Sequence, residues 1–327
     1  MARNARLLAA VLVAVLGAAI LSASVGAQAL PKDALLIEHW DGAAWTVTQA
    51  PGPQGGSTLS AVTAVSPTNL WAVGSFVKTT GTTLTWHPLA EHYDGTSWSP
   101  VVLPTPNQKA QSDLVAVSGS SATDVWAVGS IGQRTLVEHY NGKAWKLVPS
   151  LRTAGSKLAG VAAVSRRDAW AVGSTGTNPG KTRTLIEHWN GIRWTEVWSP
   201  SSPSRQNGLR AVSVIGTGWN AWAVGSSLGA GGYRSLAEHW NVCSWHFASA
   251  PSPSTDALDL YGVSGLSRHD VWAVGSSGST PQTFAEHWDG WKWTAEPTAD
   301  PQIPAVLRGV AAVSADDVWA VGSSNAP

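Results

Sequence analysis

The residues in this chain best suited to chemistry recur along its length instead of clustering. Glu-His followed by Trp or Tyr occurs six times, starting at Glu38, Glu91, Glu138, Glu187, Glu238 and Glu286. A neutral imidazole can hold a metal, and a carboxylate beside a histidine can move protons. Adjacent residues of an extended strand, however, point to opposite faces. Pairs in six separate units also radiate, and so cannot converge on one ion or substrate. The pattern therefore predicts structural hydrogen bonds to a neighbouring strand or turn, with an upstream Asx residue as a candidate partner. The chain has no Gly-x-Ser-x-Gly elbow, His-Glu-x-x-His pair or phosphate loop. Its non-repeated acids (Asp33, Asp113, Glu196, Asp256, Asp259, Glu296, Asp300 and Asp316) lack the visible pairing that glycoside hydrolysis requires. The expectation is a protein without catalytic residues, metal site or cofactor.

The elements that must position these pairs repeat as whole units. Trp-Ala-Val-Gly-Ser begins at Trp71, Trp126, Trp170, Trp222, Trp272 and Trp319, each two residues after an Asx (Asn69, Asp124, Asp168, Asn220, Asp270, Asp317). The Glu-His spacings of 53, 47, 49, 51 and 48 residues average 49.6, so six units fill residues 30–327. Each unit reads as four short strands. A small, β-branched run such as Leu158 to Val164 comes first, then Trp-Ala-Val-Gly-Ser. A Gly/Ser/Thr-rich loop leads to Thr184 to Trp189, and a strand opening at Trp194 follows. Asn190-Gly191 between the last two is a two-residue hairpin signal; Asn241-Val242 replaces its glycine and should mark the least regular hairpin. The chain starts with third and fourth strands only (Leu35 to Trp40, Trp45 to Thr48). It ends with first and second strands only (Leu307 to Val313, Val318 to Ser323). The expected fold is all-β: a six-bladed β-propeller, four antiparallel strands per blade, with one blade shared between the two termini. Such closure would remove exposed sheet edges.

Composition narrows the class further. Lys+Arg and Asp+Glu both number 21, and charged residues make up 13% of the chain, about half the ~25% of ordinary globular proteins. That balance carries no electrostatic footprint for nucleic acid or an anionic membrane. A single cysteine, Cys243, excludes a disulfide framework and reads as a small packing residue. Residues 1–29 read as a secretory signal peptide: Arg3 and Arg6, an apolar run from Leu7 to Leu21, then Ala27-Gln28-Ala29. Cleavage there would leave a secreted domain over residues 30–327 with no membrane anchor.

Sixteen of the 20 tryptophans are locked to the repeat and are expected in its core, each burying on the order of 200 Å² with an N–H free to find a partner. Four fall off the pattern: Trp86, Trp198, Trp219 and Trp291. Strand order puts Trp86, in the loop between second and third strands, and Trp198 on one face of the ring. It puts Trp219 and Trp291 in turns on the other. Aromatics on loops point to binding, so these four are the candidate ligand contacts.

The run (Trp/Tyr)-(Asp/Asn)-Gly-x-x-Trp, as in Trp40-Asp41-Gly42-Ala43-Ala44-Trp45, resembles the repeat of bacterial propeller lectins. It also resembles photosystem II assembly factor-like and Asp-box propellers, although Glu38 and Trp40 occupy the Ser and Asp positions of the Asp box. That departure and the missing arginine triad count against sialidase-type activity. The lectin resemblance implies sugar pockets between blades, with Trp40, Tyr93, Tyr140, Trp189, Trp240 and Trp288 as stacking residues. The reading that follows is a secreted, non-catalytic binding module whose partner is a glycan. The alternatives are a self-associating extracellular protein with protein partners and, behind it, a glycoside hydrolase.

Overall fold

The computed structural model describes residues 35–40, 44–53, 56–104, 110–151, 153–178, 180–202, 206–229, 232–248, 257–299 and 303–324. The expected leader over residues 1–29 lies outside the described residues. Among those described, regular structure consists of 24 strands, all paired antiparallel. Sheet I pairs β1 (Leu35–Trp40) with β2 (Trp45–Ala50). Sheet II runs β3 (Ser57–Ser66), β4 (Asn69–Thr80), β5 (Thr83–Tyr93) and β6 (Trp98–Pro100). Sheet III runs β7 (Ser112–Ser121), β8 (Asp124–Ile131), β9 (Arg134–Tyr140) and β10 (Trp145–Leu147). Sheet IV runs β11 (Lys157–Ser165), β12 (Asp168–Asn178), β13 (Lys181–Trp189) and β14 (Trp194–Val197). Sheet V runs β15 (Gln206–Ile215), β16 (Asn220–Gly229), β17 (Gly232–Trp240) and β18 (Trp245–Phe247). Sheet VI runs β19 (Leu258–Ser267), β20 (Asp270–Ser277), β21 (Gln282–Trp288) and β22 (Trp293–Glu296). Sheet VII pairs β23 (Ala305–Ser314) with β24 (Asp317–Ser324).

The glycine of Trp-Ala-Val-Gly has a reason that lies in the neighbouring strand. In each unit the register of first and second strands skips one residue: Ser60, Val115, Ala159, Arg210, Tyr261 and Arg308 are bulged. Next to each bulge, a first-strand carbonyl lies against the second strand. A Cβ on Gly74, Gly129, Gly173, Gly225, Gly275 or Gly322 would overlap the carbonyl of Thr58, Asp113, Lys157, Gly208, Asp259 or Val306. Close approach of two backbones, not a left-handed φ, demands the glycine.

The core lies between sheets. Trp126 of sheet III stacks on His139 of its own sheet at 4.1 Å and meets Trp189 and Trp194 of sheet IV at 4.9 and 5.0 Å, the last edge-on at 90°. Trp71, Trp170 and Trp222 make the same arrangement with the sheets that follow them. All four indoles are buried. Each removes ~200 Å² from water, a gross gain on the order of 5 kcal/mol. The first strands β3, β7, β11, β15, β19 and β23 pack side by side in chain order. The hydroxyls of Ser118, Ser213 and Ser264 accept from the N–H of Ala163, Gly265 and Ala312 of the next sheet, at 3.0–3.1 Å. Strands β7, β11, β15, β19 and β23 line a cavity of about 480 Å³ with residues such as Val117, Val161, Val212 and Ala312.

Three details differ from expectation. First, β1 pairs only with β2 and β24 only with β23, so the blade expected to be shared between the termini stands as two separate two-stranded sheets. Leu35 and Ala50 of sheet I already cluster with Ala72, Leu89 and Trp98 of sheet II, which satisfies the apolar face of sheet I without engaging β24. Second, the hairpins have four-residue loops, not two. Trp189 faces Trp194, the N–H of Asn190 donates to the Arg193 carbonyl, and Asn190 Oδ1 accepts from the N–H of Ile192 and Arg193. The Asx residue is needed as a local cap. Third, the hairpin at Asn241 keeps this form, with Trp240 still facing Trp245. Val242 is forced to φ 79°, alone among the described non-glycine residues, so the missing glycine is felt as strain and not as irregularity.

Candidate functional site

The repeated histidines are engaged within their own sheets. His92, His139, His188, His239 and His287 meet the Oδ1 of Asn69, Asp124, Asp168, Asn220 and Asp270 through Nε2 at 2.8–3.3 Å. The expected Asx partner is therefore present in five units. Asp124 is fully buried; burial works against its charge, but bonds from His139 and Ser120 hold its carboxyl below the usual range. Burial lowers His92 and His239 below the ordinary imidazole value.

The glutamates divide. Glu187 Oε1 accepts from the N–H of Leu151 at 3.1 Å, and Glu238 Oε2 accepts from Ser199 Oγ at 2.7 Å, each reaching the segment that arrives from the preceding sheet. Glu91, Glu138 and Glu286 are just as buried, yet neither oxygen of any of them has a hydrogen-bond partner among the described residues. The hydrogen bonds expected of all six glutamates are thus made by these two among the described residues. Desolvation pushes Glu91 and Glu187 up to about 7 and Glu138, Glu238 and Glu286 up to about 8. A carboxyl that keeps its proton avoids placing a bare charge in an apolar sheet junction.

The four off-pattern tryptophans are also the four exposed ones among the described residues: Trp86 41%, Trp198 72%, Trp219 62% and Trp291 87%. Trp198 follows β14 directly. Its neighbour Ser199 is tied to Glu238 and to Thr184 Oγ1, so a buried carboxyl anchors the segment presenting the indole. Trp86 is in β5 opposite Val77, not in a loop as expected, because the β4–β5 hairpin extends to Thr80 and Thr83. Its backbone N–H donates to Gln111 Oε1 at 2.7 Å, which fastens the hairpin to the start of the next sheet. Trp219 lies in the β15–β16 turn, and Trp291 lies in the β21–β22 turn, whose Asp289 Oδ1 accepts from the Trp291 N–H at 2.8 Å. Trp86 and Trp198 thus share one end of the sheets, and Trp219 and Trp291 share the other. They form separate platforms and not one pocket.

Four of the six aromatics after Glu-His do not serve as free stacking surfaces, and the Trp40 side chain lies outside the described residues. Tyr140, Trp189, Trp240 and Trp288 pack between sheets against Trp71, Trp126, Trp170 and Trp222, and the indole N–H groups of Trp189 and Trp288 donate to the Arg166 and Arg268 carbonyls. Several core indoles, those of Trp71, Trp145 and Trp194 among them, have no hydrogen-bond acceptor for their N–H among the described residues, contrary to expectation; they pack edge-on instead. Cys243 is exposed, so it is not the packing residue its size suggested.

No protein-family model matches the chain, and no curated protein does. Among solved structures it is similar to an ulvan lyase of a new polysaccharide lyase family, with 10% identity, a TM-score of 0.51, and coverage of 78% of this chain and 75% of that one. It is also similar to the fungal lectin of Aleuria aurantia, described as a six-bladed β-propeller, with 15% identity, a TM-score of 0.47, and coverage of 77% and 83%. A third likeness is to YCF48 bound to a D1 peptide, with 14% identity, a TM-score of 0.39, and coverage of 87% and 94%. At such identities the likeness to the ulvan lyase speaks to fold alone; it is the successive four-stranded antiparallel sheets, with their first strands side by side, that make this chain a β-propeller.

Proposed function

We propose that the chain is a secreted, non-catalytic propeller of six blades that binds glycans on its exposed indoles. The observation that carries this reading is the sorting of tryptophans: Trp198, Trp219 and Trp291 are mostly exposed, while Trp71, Trp126, Trp170 and Trp222 are buried. An indole held in water on an anchored turn costs solvation, and stacking on a sugar face would recover it. The sixth blade would form by pairing β24 with β1. By the register of β20 and β21, where Trp272 faces His287, Trp319 would face His39 and Asp317 would come within reach of its imidazole. The test is a glycan array on the mature domain. Binding that falls in Trp198→Ala and Trp291→Ala variants, with unchanged melting temperature, supports the reading; an array without signal removes it.

A second reading rests on the unpaired strand edges of β1 and β24, which present backbone groups to a neighbour. It makes the protein a self-associating extracellular component. Light scattering that rises with concentration, without glycan binding, would favour it.

A further inference from the structure

The bulge position is among those that vary from unit to unit; its residues are Ser60, Val115, Ala159, Arg210, Tyr261 and Arg308. A bulge re-aims the side chain it releases from the ladder. Here it does so on the first strand of each sheet, before the stretch with which β7, β11, β15, β19 and β23 line the cavity. The leucines just before the bulges, Leu114, Leu158, Leu209 and Leu260, are buried, whereas Arg210 and Arg308 are exposed and Tyr261 is half-buried. Half of the collar is small or apolar. The other half, from three successive sheets, is Arg-Tyr-Arg.

These three side chains meet. The guanidinium carbon of Arg210 is 4.8 Å from the centre of the Tyr261 ring, and that of Arg308 is 5.3 Å from it. Arg210 is spoken for: its Nε and Nη2 donate to Asp259 Oδ1 and Oδ2 at 2.9 and 2.6 Å. Arg308 has no carboxylate partner among the described residues and keeps only its contact with the ring. Two guanidinium groups against one carboxylate leave the collar one positive charge in excess, in a chain whose formal net charge is zero. The planar fork of an arginine matches the paired oxygens of an oxyanion.

We propose that this collar binds the oxyanion of an acidic saccharide, a uronate carboxylate or a sulfate ester. Arg308 would be the primary donor, Tyr261 would hold its guanidinium in place, and Arg210, fixed by Asp259, would form the opposite wall. The choice of a saccharide rests on the glycan reading above; the oxyanion site itself does not.

The experiment titrates the mature protein with three oligosaccharides of equal length: an oligogalacturonate, a sulfated galactan and a neutral galactan. The expected result is that an acidic ligand binds at least tenfold tighter than the neutral one. This preference should weaken at high salt and vanish in Arg308→Gln, while Arg193→Gln, which removes an exposed cation from the β13–β14 hairpin, leaves it in place. Whichever acidic ligand binds tighter identifies the oxyanion. Equal binding of all three, unchanged in Arg308→Gln, overturns the proposal and leaves the glycan reading standing. If none binds, the glycan reading falls, and inorganic sulfate then tests the site by NMR. A shift of the Arg308 Nε–H resonance on sulfate addition upholds the oxyanion site, and its absence refutes it. Arg308→Lys, which keeps the charge without the fork, should recover only part of the affinity and guards against a loss caused by misfolding.

Discussion

The junction that follows sheet III and the end of the sheet series at sheet VII start from the same motif and come out differently. At the first, Trp126 is fully buried and touches His139, Trp189 and Trp194. At the second, Trp319 is half-buried and in ring contact with no described residue, and on the neighbouring sheet Trp272 keeps only His287. Trp-Ala-Val-Gly-Ser therefore supplies a knob, and the third and fourth strands of the next sheet supply the socket. What separates a core tryptophan from a half-exposed one is not its own motif but whether the following sheet is docked.

The largest effect should come from removing the knobs. Trp126→Ala is expected to cost about 3–5 kcal/mol of unfolding free energy in urea titration. Ring closure as proposed predicts a similar loss for Trp319→Ala; an open seam in solution would keep that loss under about 1 kcal/mol, and the comparison decides between them. Gly173→Ala should cost about 3 kcal/mol, because its Cβ would drive into the Lys157 carbonyl. Gly322→Ala should match it, since this crowding lies inside a sheet and does not depend on the seam.

The buried glutamates make the sheet junctions weaken as pH rises from acid through neutral. At a pH well below the ordinary carboxyl value of 4.5, folded and unfolded chains alike hold these protons. As pH rises the unfolded chain releases them, while the folded chain keeps those of Glu138 and Glu286 up to about 8. The stability they contribute is therefore present at low pH and lost between about 4.5 and 8. Melting temperature should fall by several degrees across that window, and Glu138→Gln with Glu286→Gln should flatten the slope.

Smaller effects should follow at the polar links. His139→Ala leaves Asp124 buried without its imidazole and should cost about 2 kcal/mol in thermal melts. Val242→Gly should instead raise stability by about 1 kcal/mol by relieving the left-handed backbone.

The strands and the repeat were legible because every unit writes the same signals: Asx, then Trp-Ala-Val-Gly-Ser, then Glu-His. The exposed tryptophans were legible for the opposite reason, since Trp86, Trp198, Trp219 and Trp291 break that pattern. The bulge was not legible, because one skipped residue leaves no mark on a strand that is apolar on both sides. A glycine that follows three apolar residues in every second strand was the available clue. Nor could spacing tell a four-residue loop from a two-residue one, because Asn190-Gly191 opens both. The partnerless Glu91, Glu138 and Glu286 escaped notice for a related reason. Glu-His reads alike in all units, whereas the segments reaching Glu187 and Glu238 from the preceding sheets differ in sequence.

The bulge also bears on how such a protein can change. Duplicating a fifty-residue unit copies the knob, the socket and the obligatory glycine together, so each new copy arrives with its packing already matched. The released residue makes no ladder bond and lies outside the buried core, so it can mutate at little cost to folding. Ser60, Val115, Ala159, Arg210, Tyr261 and Arg308 show how far that position has drifted while the Trp-Ala-Val-Gly-Ser and Glu-His motifs stayed alike. A repeat built this way separates the part that must be inherited unchanged from the part on which selection for a new ligand can act.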